Sequence, residues 1–77
     1  MAVTADIVLK SGQNIIINNL KSIDTPNSSI TNFSEFYILN NEFLNFVGDS
    51  SCVAINAISI EYVEFKNYQN INVELVD

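Results

Sequence analysis

Residues 3–17 read VTADIVLKSGQNIII, and this stretch decides the fold class. Val3, Ala5, Ile7 and Leu9 alternate with Thr4, Asp6, Val8 and Lys10. Successive side chains of a strand point to opposite faces, so a period of two gathers one apolar row that a helix would scatter. Ser11-Gly12-Gln13 supplies a turn. The Ile15-Ile16-Ile17 run beyond it reads as a strand covered on both faces, extending from Asn14 to Ile23 with a bulge at Asn18-Asn19.

The rest of the chain repeats this grammar. Asp24-Thr25-Pro26-Asn27-Ser28-Ser29 is a loop, since Pro26 lacks an N–H and its neighbours favour turns. Phe33 to Leu39 reads as a third strand, joined by an Asn40-Asn41 hairpin turn to a fourth over Glu42 to Val47. Gly48-Asp49-Ser50-Ser51 breaks the next connection. Cys52 to Ile55 follows as a short strand, then a pinch at Asn56-Ala57, a strand over Ile58 to Phe65, and a last one over Ile71 to Val76. No window of a dozen residues keeps a helical period, and Ile, Val, Phe, Tyr and Asn outnumber the good helix formers. A closed barrel is expected, because closure removes the free strand edges that so apolar a chain would expose.

Two segments carry a family resemblance. Ile7-Val8-Leu9-Lys10-Ser11-Gly12, followed by a strand ending at Ile23-Asp24, resembles the first half of the Sm-like motif. Residues Val53 to Val63, with the pinch at Asn56-Ala57, resemble its second half. The resemblance implies an all-β fold: a small SH3/Sm-like barrel of five to seven short antiparallel strands, assembled into a ring. It does not imply RNA binding. Asn56-Ala57 stands where the family has a basic residue and glycine, and Asn27 lies only in the region of the RNA-contacting asparagine.

Composition limits function further. A chain of 77 residues is one domain, spanning 1–77. A domain this short buries about 60% of the surface its unfolded chain exposes. With 48% apolar residues and three Lys/Arg, the surplus apolar surface points to a homo-oligomer. The net charge of −6 leaves only Lys10, Lys21 and Lys66 as cations, too few to neutralise phosphates, so direct nucleic-acid binding and anionic-membrane binding are not expected. No signal peptide or membrane helix is expected, the single Cys52 fits a reducing compartment, and the protein reads as cytoplasmic. The Asn-x-Ser triplets at Asn27 and Asn32 read as chance products of an Asn- and Ser-rich chain.

The absence of histidine removes imidazole bases and His metal sites, one cysteine cannot build a zinc site, and two glycines cannot cradle phosphates. No cofactor and no enzymatic activity are expected. Cys52 reads as a core residue. Glu35 and Glu42 flank the expected hairpin, while Glu61 and Glu64 should face opposite sides of their strand. Phe36, Tyr37, Phe43 and Phe46 divide between core packing and a partner-binding hot spot, with Glu61 and Glu64 as the acidic contribution to such a surface. The expected function is a protein-interaction module, an adaptor or inhibitor, with a protein partner and self-association. Nine carboxylates would let it compete with nucleic acid for a basic protein, and a compact Asn- and Ile-rich chain fits a phage- or plasmid-borne origin. The alternative is an Sm-like oligomer holding a small molecule or nucleotide between protomers.

Overall fold

The alternation in the first strand determines which way the chain faces. The computed structural model, which describes residues 2–39, 42–67 and 71–76, is all-β apart from two 3-10 turns. In β1 (Thr4–Leu9) the side chains of Ala5 and Ile7 are fully buried, with Val3 and Leu9 packed against the same core. The other strands are β2 (Asn14–Ile17), β3 (Ser22–Asp24), β4 (Ser29–Ile30), β5 (Ile38–Leu39), β6 (Phe43–Val47), β7 (Cys52–Asn56), β8 (Ile60–Lys66) and β9 (Ile71–Val76). They form a five-stranded sheet of order β2-β1-β8-β9-β5 and a four-stranded sheet of order β4-β3-β6-β7. Every pairing is antiparallel except β5 with β9.

The chain crosses between the sheets at corners where the backbone changes partner. Leu20 N–H donates to the Val3 carbonyl at 2.8 Å, and Lys21 N–H donates to the Val47 carbonyl at 2.7 Å. One residue therefore belongs to the first sheet and its neighbour to the second. Asn19, at φ 54°, supplies the left-handed step that asparagine tolerates better than most side chains. Asn18-Asn19 thus breaks the strand into β2 and β3 rather than bulging it.

A second corner is the 3-10 turn Ala57–Ser59, at the pinch expected from Asn56-Ala57. The Asn56 side chain caps it, accepting from Ile58 N–H at 3.1 Å. Ala57 N–H donates to the Glu42 carbonyl on one sheet, and the Ser59 carbonyl accepts from Lys10 N–H on the other. The sixth expected strand therefore begins at Ile60 instead of Ile58.

These corners correct the closed barrel. The ladders form two open sheets facing each other across a shared core, with nine strands among the described residues rather than five to seven, and one parallel pair. The expected strand over Phe33 to Leu39 is replaced by a 3-10 turn, Phe33–Glu35, and the two-residue β5. Asn32 drives this: its side-chain oxygen accepts from Ser34 N–H, which diverts the backbone from an extended path. Asn40-Asn41 lies outside the described residues. The flanking strands are nevertheless not hairpin partners, since β5 pairs with β9 while β6 pairs with β3 and β7. A sharp hairpin does lie at the expected loop, where Thr25 N–H donates to the Ser28 carbonyl and β4 folds back on β3.

The core draws on both sheets. Phe65 comes from the first and Phe46 from the second, and between them Phe36 meets each ring edge-on, at centroid separations of 5.9 and 6.2 Å. Phe33 stacks on Phe65 at 5.3 Å. Such pairs add about 0.5–1.5 kcal/mol each beyond the area they bury.

Gly48 holds the first corner from the other side. A Cβ placed there would lie 2.8 Å from both the Asn18 carbonyl oxygen and Ile17 Cγ2. Since one obstacle is backbone, Gly48→Ala is expected to cost about 1–3 kcal/mol. The checking measurement is urea unfolding, with a lower midpoint and an unchanged slope.

Candidate interaction site

Strand periodicity also determines which side chains reach solvent. On β6, Leu44 and Phe46 are buried, so Phe43, Asn45 and Val47 face outward. Phe43 is 60% exposed. Tyr37, between the 3-10 turn and β5, is 59% exposed. Tyr37 also lines a groove of about 310 Å³ together with Thr25, Asn27, Ser28, Ile30 and Glu42. The β3–β4 hairpin builds one wall of this groove. Thr25 holds the turn, its Oγ1 accepting from the N–H groups of Asn27 and Ser28 at 3.3 and 3.1 Å. Asp24 fixes the strands below, accepting from Ser22 and Ser29 hydroxyls at 3.2 and 2.7 Å.

The aromatic candidates therefore divide. Tyr37 and Phe43 are presented to solvent. Phe36 and Phe46 are not available to a partner: both are buried, because Phe33 and Phe36 turn inward together from the 3-10 segment and Phe46 alternates inward on β6. The core half of that expectation applies to them.

The acidic candidates lie on the first sheet. A register shift sets Val8 opposite Tyr62 but Leu9 opposite Ile60, leaving Glu61 as the extra residue of a β-bulge. Ile60 and Val63 are consequently both buried, Glu61 is exposed, and Glu64 is half-buried. The opposite-face expectation for Glu61 and Glu64 assumed an unbroken period of two and is corrected by the bulge. Glu35 is exposed in the 3-10 turn, and the hairpin that would set it across from Glu42 is not formed.

Glu64 stands directly opposite Asp6 on β1, and Glu74 opposite Tyr62. Asp6 accepts from Asn14 Nδ2 at 3.0 Å and lies 3.7 Å from Lys66 Nζ. Lys21 pairs with Asp49 at 3.1 Å, both well exposed, a pair worth at most about 1 kcal/mol. Among the described residues no group of three His, Cys, Asp or Glu side chains is placed to hold a metal ion. No described helix is long and apolar enough to cross a membrane.

Cys52 is exposed, correcting its assignment to the core. The register explains why: β7 turns Val53 and Ile55 toward the core, so Cys52, Ala54 and Asn56 take the opposite face. The apolar residues that the sequence did not flag as surface are Ile16 and Ile58, at 56% and 51% exposure. Ile58 was hidden by its placement in a strand. The groove's Thr25, Ser28 and Ile30 carried no signal beyond turn propensity.

Comparison of the chain with protein-family models, curated proteins and solved structures finds no match.

The Asp6–Glu64 pairing generates a test. Like charges directly opposite on neighbouring strands repel, so Glu64→Gln is expected to raise stability by about 0.2–1 kcal/mol at neutral pH. The gain should shrink in concentrated salt. Urea unfolding at low and high sodium chloride checks both.

Proposed function

We propose that this chain is a non-enzymatic protein-interaction module that binds a basic protein and associates with itself. Tyr37, exposed in the groove it shares with Glu42, and Phe43, exposed at the residue after Glu42, carry this reading on a chain of net charge −6. Tyrosine and phenylalanine provide rigid apolar contact area, and aromatic anchors in a partner's pocket typically dominate the energy of an interface. The carboxylates set the partner's sign. Asp6, Glu64 and Glu74 on the first sheet, with Glu42 at the groove, attract a basic surface and speed its encounter. An adaptor or inhibitor that occupies the phosphate-binding surface of a nucleic-acid-binding protein has these properties. Self-association is supported by the large apolar side chains Ile16, Tyr37, Phe43 and Ile58 left in solvent on so small a chain.

In fold terms we read the chain as an elaborated SH3/Sm-type arrangement. The supporting features are β1 flanked by β2 and β8, a segment bent at residues 18–21, and a 3-10 turn joining β7 to β8. The groove hairpin and β9 are additions to that pattern.

The test uses the purified chain as bait for proteins of its host, beside Tyr37→Ala and Phe43→Ala. Both side chains are mostly in solvent, so the thermal midpoint should hardly move. A basic partner should be retained by the wild type, released as salt rises, and bound at least about 10-fold more weakly by each variant. Equal retention by both variants would overturn the reading.

A further inference from the structure

The strand that ends the four-stranded sheet leaves its outer backbone groups without a partner among the described residues. β7 pairs with β6 on one side only. Two hydrogen bonds just beyond the ends of that ladder determine which groups point where. Ala57 N–H donates to the Glu42 carbonyl, and Gly48 N–H donates to the Ser51 carbonyl. Both continue the register that sets Phe43 opposite Asn56 and Val47 opposite Cys52. Antiparallel strands direct alternate residues to each neighbour, so Val53 and Ile55 bond to β6, while the N–H and C=O groups of Cys52, Ala54 and Asn56 point away from it.

Natural edges of this kind are blunted by lysine, proline, a bulge or brevity. β7 has none of these defences. It reads Cys-Val-Ala-Ile-Asn, pairs with β6 without a register shift, and at five residues is the longest of the four strands that end a sheet. β2 is four residues long and is crowded at its Ile17 end by Gly48; β4 and β5 have two residues each. Residues 50–60 contain no Asp, Glu, Lys or Arg, in a chain with nine carboxylates. Ala54 is exposed and small, so another backbone can approach closely.

We infer that β7 is the self-association edge, pairing antiparallel with β7 of a second copy about a two-fold axis. This rests on the self-association proposed above and names its site. A second copy is the occupant because the segment is complementary to itself. With Ala54 opposite its counterpart, Cys52 faces Asn56 and Val53 faces Ile55. The outward groups of Cys52, Ala54 and the Asn56 N–H meet partners across the seam, while the Asn56 carbonyl, which opens the 3-10 turn Ala57–Ser59, is shared with that turn. The uncharged edge is where two chains of net charge −6 meet without opposing carboxylates. The joined sheet has eight strands, and Phe43 and Ile58 lie at the ends of the seam, beside and just beyond Asn56.

Light scattering and sedimentation equilibrium on the full chain test this. The wild type should be a dimer that tightens as sodium chloride rises, because screening relieves the repulsion between like-charged copies. Ala54→Pro removes only an outward-pointing N–H and should give a monomer with an unchanged circular-dichroism spectrum. If that variant fails to fold, Ala54→Lys, whose side chain enters solvent, decides by the same readout. Ala54→Cys in a Cys52→Ser background should form a disulfide-linked dimer on oxidation, whereas wild-type Cys52, facing Asn56, should not. A wild type that remains monomeric to millimolar concentration would overturn both the edge and self-association, leaving the groove reading to its own test. A dimer surviving in Ala54→Pro or Ala54→Lys would overturn the edge alone.

Discussion

The wedge of Phe36 between Phe65 and Phe46 is the contact on which the two-sheet arrangement depends. Neither sheet supplies it: Phe65 belongs to one, Phe46 to the other, and Phe36 arrives on the connection between β4 and β5. Two open sheets need something to cover their inner faces, and the described residues contain no α-helix to do so. The 3-10 turn performs that task by turning Phe33 and Phe36 inward together. An extended strand would have sent two of the aromatics among Phe33, Phe36 and Tyr37 to opposite faces. The turn buries both phenylalanines and leaves Tyr37 outside, so one backbone choice completes the core and creates the exposed anchor.

The corners follow the same logic on the backbone. A chain leaving one ladder for another must hand over its N–H and C=O groups without stranding them, since an unpaired buried group costs about 1–3 kcal/mol. At Leu20-Lys21 the handover takes two consecutive residues. At Ala57–Ser59 it takes a capped turn, with Glu42 and Lys10 receiving the two ends. Among the described residues, the longest sheet-edge flank without a handover is the outer side of β7. The concentration of satisfied groups elsewhere makes that edge informative.

Much of this fold was legible. The alternation in residues 3–9 gave the buried row of β1 directly, and Asn56-Ala57 marked a corner because asparagine caps the turn that follows. What periodicity could not provide was any event that adds a residue or changes the backbone state. The bulge at Glu61 reversed the expected relation of Glu61 to Glu64, and Asn32 converted a strand into a turn through one side-chain hydrogen bond. Sheet assignment was equally hidden: β5 and β6 are neighbours in sequence, yet they lie in different sheets. The candidate site suffered most. An aromatic cluster in sequence is a single list until the backbone divides it, and Phe36 and Tyr37 are adjacent residues with opposite fates.

Charge is spread unevenly along the strands, and the spread bears on what each part can bind. The outer face of the five-stranded sheet collects Asp6, Glu64 and Glu74, whereas residues 43–48 and 50–60 of the other sheet and its corner carry no charge at all. A uniform coat of carboxylates would repel a like-charged copy from every side. Asp24 on β3, Glu42 at the groove and Asp49 in the β6–β7 turn carry carboxylates on the second sheet's side as well, so under the proposed dimer the neutral approach for a like-charged copy is the β7 segment itself, residues 50–60. Phe43, across from Asn56 at the end of the β7 seam, belongs to the proposed dimer edge and to the proposed partner surface alike, so self-pairing and partner binding would meet at that side chain.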